Sequence, residues 1–195
     1  NFPFKTVVHN TVNNGRIVKV DFIDNDVCYS CVNIYAPNVP SERVDFFNSL
    51  DNHLSGDNII VAGDFNEIIE PHLDKSITVS TFNTISNQSL CNLIDRHTFC
   101  DVFRYRNPGV RQYTRQQFVE GVLKQSRIDM FLISRNLLSI VSNCFLKYSS
   151  ISDHNPICLS IDLSCVERGP GVWIFNNSLL ENAQFSENIR KLIAD

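Results

Sequence analysis

The sequence has no surplus of positive charge: 17 Lys and Arg stand against 21 Asp and Glu, a formal net charge of −4. A uniformly basic nucleic-acid binder is thereby excluded, although a local patch and a metal ion suffice to hold phosphates. No apolar run reaches membrane-spanning length, so no membrane partner is expected. The opening Asn1-Phe2-Pro3-Phe4 lacks the charged and apolar regions of a signal peptide. There is no internal repeat and no low-complexity tract. The seven cysteines are an odd number and lie mostly in apolar, strand-like runs, which reads as free thiols in a reducing compartment. Cys28 and Cys31 form a lone C-x-x-C without a second pair or a following helix start, so neither a zinc nor a redox site is expected there. The chain starts without Met, mid-pattern, and is expected to be a piece of a longer protein.

What is present suits one globular domain with an appendage: 195 residues, 43% hydrophobic and 10% aromatic. Arg16 to Phe22 alternates apolar and polar, the period of a half-buried strand. Val27 to Tyr35 is a second strand, pairing with the first across Asp24-Asn25-Asp26. A helix capped by Ser41 is expected to run to about Leu54, with Val44, Phe47, Leu50 and Leu54 inward. Ile59 to Ala62 is wholly apolar, as in a strand buried on both faces. Glu70 to Asn87 reads as loop, and Ser89 to Thr98 as a helix with Leu90, Leu93 and Ile94 inward. Strands follow at Tyr113–Phe118, Ser126–Ile133, Cys144–Tyr148 and Ile157–Leu163, with a short helix at Arg135–Val141. This mixture predicts layered α/β packing, two sheets face to face with helices outside. The domain is expected over residues 1–166, with a linker over 167–195 beyond the break at Gly169-Pro170-Gly171.

Three segments carry chemistry. Gly63-Asp-Phe-Asn66 ends the apolar strand. Asp64 and Asn66, two residues apart, point to one side, where a carboxylate can accept a proton from water and a carboxamide can orient it. The plain alternative is a turn. Asp129 of Arg127-Ile-Asp129 is embedded in apolar sequence and needs a partner, either an arginine in an ion pair or a histidine that it orients. Ser152-Asp-His-Asn-Pro156 offers an oxygen ligand for a hard metal and a group that stabilises a developing phosphate charge. The other histidines, His9, His53, His72 and His97, read as solvated surface. Tyr35 and Asn38 present a hydroxyl and an amide at another strand end. Phosphodiester hydrolysis needs such a combination, with magnesium favoured over zinc for want of His and Cys ligands.

In order, Asn33-Ile-Tyr-Ala-Pro-Asn38, Gly63-Asp-Phe-Asn66, Arg127-Ile-Asp129 and Ser152-Asp-His-Asn-Pro-Ile157 resemble the endonuclease/exonuclease/phosphatase superfamily over about residues 16 to 163. The tail Gly169 to Leu180 resembles the segment after the apurinic-type endonuclease domain in LINE-type non-LTR retrotransposon polyproteins. The resemblance implies a four-layered α/β sandwich of two packed mixed sheets flanked by helices. It implies an Mg2+-dependent nick of DNA (Mn2+ as alternative) leaving a 3′-hydroxyl that primes reverse transcription. It also implies a covalently continuous reverse transcriptase and action in the nucleus. Residue by residue, Asp64 would activate water, Asn66 would orient it, and His154 would stabilise the transition state with support from Asp129. Asp153 would help hold the metal, and Tyr35, Asn38 and Thr114 would contact DNA.

One departure stands out. The superfamily's opening strand ending in Asn, and its next strand ending in a metal-binding Glu, have no counterpart here, and residues 1–15 offer no such strand. Glu42, Glu67 and Glu70 are not substitutes. The first strands are therefore expected to be missing. Alternatives are a superfamily phosphatase acting on phospholipid or nucleotide, and an inactive nucleic-acid-binding remnant. The arginines Arg104, Arg106, Arg111 and Arg115 are expected to contact the DNA backbone, against a solvated-loop alternative.

Overall fold

The computed structural model describes residues 5–12, 15–24, 26–77 and 84–162, together with 187 and 191. The chain divides into two compact units, Phe4–Val166 and a second made of Asn1–Pro3 with Glu167–Asp195. Apart from Glu187 and Lys191, whose side chains pair at 3.8 Å, the expected linker over 167–195 lies outside the described residues.

The larger unit is built on a six-stranded mixed sheet. Its strands are β1 (Lys5–Val12), β2 (Ile17–Asp24), β3 (Val27–Tyr35), β4 (Ile59–Asp64), β5 (Phe99–Asp101) and β8 (Asp129–Ser134). They lie in the order β1-β2-β3-β4-β8-β5, with β3–β4 parallel and the other pairs antiparallel. Strands β2 and β3 pair antiparallel, as expected, from Ile17 opposite Ile34 to Asp24 opposite Val27. Strand β1 was not foreseen, because its polar alternation is weak. Two shorter sheets complete the strands: the hairpin β6 (Arg115–Val119)–β7 (Val122–Ser126), and the pair β9 (Val141–Leu146)–β10 (Ile157–Ile161).

Alternation along β4 explains the layering. Ile59 and Val61 point to one face, where Phe46, Phe47, Leu50, Leu90 and Leu93 of the helical side cover them. Ile60 points to the other, among Val141, Cys144, Leu146, Ile157 and Leu159 of β9 and β10. The helices carrying Phe46 and Leu90 therefore pack on one face, and the second sheet, with the short helix carrying Val102 and Phe103, on the other, the sandwich expected from the apolar run. The helices are α1 (Pro40–Ser49), α2 (Pro71–Asp74), α3 (Ile85–Arg96) and α4 (Val102–Arg106).

Boundaries differ where local chemistry decided. Helix α1 starts at Pro40, with Val39 in the cap position and no side-chain cap bond, because proline fits the first helical turn. Ser41 is therefore not the cap, and the segment to His53 is a 3₁₀ turn. Helix α3 starts four residues earlier than Ser89, since Thr84 caps it through Asn87 N–H. The expected loop Glu70–Asn87 contains α2, and residues 78–83 of it lie outside the described ones. The unforeseen hairpin turn at Glu120-Gly121 has both residues at positive φ, 52° and 77°. Among the described residues the cysteines are free, and burial pushes the Cys144 thiol up to about 12, which leaves it inert. His97 is not solvated surface: it pairs with Asp51 at 2.7 Å and stacks on Phe99.

Candidate functional site

The site forms at one end of the six-stranded sheet, on the face toward β9–β10. Tyr35 is the register partner of Asp64 across β3–β4, and Asp64 of Asp129 across β4–β8. Laterally paired residues share a face, so the three side chains form a row. Gly63 makes this end possible. It has φ 132°, and a Cβ there would sit 2.0 Å from the Ile34 carbonyl oxygen, so only glycine lets the strands approach.

The turn after β4 shapes the first carboxylate. Asn66 takes φ 47°, a left-handed conformation that Asn tolerates. Its N–H donates to Asp64 Oδ1 at 2.8 Å and its Nδ2 donates to the Ala36 carbonyl at 2.8 Å. The turn reading of Gly-Asp-Phe-Asn therefore holds, and the turn is what fixes the carboxylate. Burial pushes the Asp64 pKa up, and the nearby Asp129 charge adds to this. The Asn66 N–H, His154 and Arg115 act in the opposite sense.

Asp129 finds the histidine partner. His154 Nδ1 lies 2.9 Å from Asp129 Oδ2. The arginine alternative is excluded because Arg127 is fully buried and bonded elsewhere, to Asp74 at 2.8 and 3.0 Å and to Asp101 at 2.7 Å. Ligand atoms of Asp64, Asp129 and His154 all lie within 4.8 Å of one another, an acidic and imidazole cluster able to hold a metal ion. Two carboxylates this close repel, and Asp64 is drawn toward its neutral form. A hard divalent cation with oxygen ligands would relieve both effects, so the donor set fits such an ion. A cleft of about 460 Å³ opens beside Asp129 and His154, walled in part by Phe131, Ile151 and Pro156.

Thr114 stands elsewhere than expected. It has no exposed surface, and its Oγ1 accepts from both Ile128 N–H and Asp129 N–H at 3.0 Å. Its carbonyl accepts from Asn155 N–H at 2.6 Å. It therefore ties the Asp129 strand to the His154 loop and offers DNA no surface. Asn155, which sequence reading passed over, joins the same clamp by donating to the Tyr113 carbonyl and accepting from Ser149 N–H. Asp153 lies outside the cluster, largely exposed and 3.6 Å from Arg115. Tyr35 is 47% exposed, and Asn38 is exposed at the following turn.

Two of the acids set aside in the sequence, Glu67 and Glu70, face arginines. Glu67 is buried against Arg43 at 3.3 Å, and Glu70 lies 3.6 Å from Arg104. The arginine cluster is split. Arg104 is committed to Asp74 at 2.6 Å, and Arg106 bonds the Val141 and Ser142 carbonyls, so these two are structural. Arg115 lines a groove of about 390 Å³ together with Lys75 and Lys124.

No family model matches the chain. The chain is 32% identical over 182 residues to an uncharacterized 149 kDa protein of transposon TX1 from Xenopus laevis, covering 90% of this chain. It spans only 14% of that protein's length. Among solved structures it is similar to an AP endonuclease from Archaeoglobus fulgidus (TM-score 0.65, 16% identity), covering 82% of this chain and 72% of that one. The endonuclease domain of TRAS1, a telomere-specific non-LTR retrotransposon, gives TM-score 0.62 at 14% identity, over 84% of this chain and 71% of that one. A 3′ phosphatase from Neisseria bound to product DNA hairpin gives TM-score 0.58 at 18% identity, over 76% and 65%. The chain thus has the fold of the AP-endonuclease-like domains, a non-LTR retrotransposon endonuclease among them, and a transposon protein is its relative in sequence.

Proposed function

We propose that this chain is the endonuclease domain of a LINE-type retrotransposon protein, which nicks DNA with a divalent cation and leaves a 3′-hydroxyl that primes reverse transcription. The observation that carries the reading is the Asp64–Asp129–His154 cluster at one sheet end, in a fold shared with nucleases. In this reading the domain is followed by a reverse transcriptase in the full-length protein and acts in the nucleus.

Each residue then has a task. Asp64, with its proton affinity raised, takes a proton from the attacking water. Asn66 holds that carboxylate with its N–H. Its Nδ2 is spent on Ala36, so its Oδ1 remains to accept from the water. Asp129 holds the His154 ring by Nδ1, which aims Nε2 at the phosphate oxygens. Water adds to phosphorus, the bond to the 3′-oxygen breaks, and that oxygen takes up a proton to become the 3′-hydroxyl. Tyr35 and Asn38 hold the phosphate from the β3 side. A Mg2+ ion, with Mn2+ as the alternative, would be held by the acidic cluster with Asp153 nearby, and would supply neutralisation of phosphate charge.

The test is supercoiled plasmid incubated with the chain and Mg2+, comparing wild type with His154→Ala. Nicking lost in the variant, with ends that a DNA polymerase extends, supports the reading. Nicking that persists unchanged in His154→Ala overturns it. The likeness to a 3′ phosphatase favours a second reading, removal of a 3′-terminal phosphate from DNA. Phosphate release from a 3′-phosphorylated oligonucleotide without plasmid nicking would favour it.

A further inference from the structure

We propose that Arg16 is a DNA-binding residue that holds a backbone phosphate next to the one at Asp64 and His154. The inference rests on the nuclease reading above and extends its site by one strand. Arg16 immediately precedes β2, and its carbonyl accepts from Tyr35 N–H at 2.8 Å. Arg16 thus stands opposite Tyr35 and continues the lateral row: Arg16, Tyr35, Asp64, Asp129. Two strand spacings, about 10 Å, separate its backbone from that of Asp64, which leaves room for a second phosphate beside the first.

Its guanidinium is parked at that sheet end by two contacts. Its Cζ lies 5.0 Å from the Tyr35 ring centroid, and its NH1 donates to the Tyr35 carbonyl at 3.1 Å. A guanidinium carries five N–H donors, so most of its capacity is unspent. Its charge is unspent too. Arg43, Arg104, Arg115 and Arg127 each face a carboxylate, whereas Arg16 has no acidic partner among the described residues. A planar cation stacked on an exposed aromatic ring and free of carboxylates is suited to a phosphate, which it can meet with two parallel N–H bonds. In a chain of net charge −4 this places positive potential beside two carboxylates that would otherwise repel DNA.

The experiment is a salt titration of binding to a fluorescent duplex in EDTA, where no strand is cut, using wild type, Arg16→Gln and Arg16→Lys. The expected result for Arg16→Gln is roughly tenfold weaker binding and a log–log salt slope shallower by about one. Arg16→Lys should recover the slope while binding more weakly than wild type. Wild type that binds, with Arg16→Gln unchanged in affinity and slope, overturns this inference and leaves the nuclease reading standing. Wild type that binds no DNA either in EDTA or with Ca2+ added overturns both. Should Arg16→Gln fail to fold, arginine modification of wild type by phenylglyoxal decides. Duplex DNA should protect Arg16, and equal modification with and without DNA overturns the inference.

Discussion

His154 Nδ1 sits 2.9 Å from Asp129 Oδ2, although the two residues are 25 positions apart and stand at the ends of different sheets. Asp129 begins β8 of the six-stranded sheet, while His154 stands just before β10 of the second. The pair therefore spans the two layers of the sandwich. If its role is to orient the ring, Asp129→Asn should lower plasmid nicking by roughly 10³–10⁴ while leaving the melting temperature little changed. Undiminished nicking by that variant would mean that His154 needs no such partner.

Asp64 makes a prediction of opposite sign for activity and stability. Burial raises its pKa, so the native state binds a proton that the unfolded chain has already lost. Its contribution therefore favours the fold at low pH and is lost as pH rises from the ordinary carboxylate value through the raised one. Above that window the carboxylate is charged at a cost. Asp64→Asn removes the charge, and at pH 7 without metal it should raise Tm by roughly 2–4 °C while abolishing nicking. Calorimetry at pH 4 and 7 checks it: the gain should be larger at pH 7.

Thr114 separates a clamp from a DNA contact. Thr114→Val leaves the buried N–H groups of Ile128 and Asp129 without their acceptor. The expected cost is about 1–3 kcal/mol in denaturant unfolding, and Thr114→Ser should retain most of the stability. The salt slope of DNA binding should not move. A shallower slope at unchanged stability would restore the DNA-contact role.

The buried ion network should respond asymmetrically. Asp74 has no exposed surface and serves Arg127 and Arg104 together. Asp74→Ala leaves Arg127 with Asp101 alone and Arg104 with the more distant Glu70 alone, and should cost about 3–5 kcal/mol. Replacing Asp74 by Leu together with Arg127 by Met should cost much less than Asp74→Ala alone. Equal losses in the two proteins would show that packing, and not the reduced charge pairing, sets the penalty.

Gly63→Ala should be the harshest single methyl addition in the unit. The added carbon meets the Ile34 carbonyl oxygen at 2.0 Å on a backbone with φ 132°. The β3–β4 register would have to open, carrying Asp64 away from Asp129. Loss of cooperative unfolding and of nicking together is expected; a protein with wild-type Tm would show that the strands yield there.

What could be read in the sequence was what short-range order dictates. Arg16–Phe22 and Ile59–Ala62 announce strands by alternation and by a wholly apolar run, and Leu90 and Leu93 mark an inward helix face. Asp64, Asn66, Asp129 and His154 were named from strand-end segments. Strand β1 and the Glu120-Gly121 hairpin were missed because their periodicity is weak, and Thr114 was misplaced because a threonine's exposure is not encoded locally. Only the tertiary structure decided between partners: whether Asp129 faces arginine or histidine depends on Asp74 and Asp101 capturing Arg127, residues 53 and 26 positions away along the chain. It also decided that Arg16, an unremarked strand start in the sequence, closes the row beside Tyr35 and Asp64. Strand pairing sets such neighbours, and pairing is chosen by the burial of whole faces, a property no single segment holds.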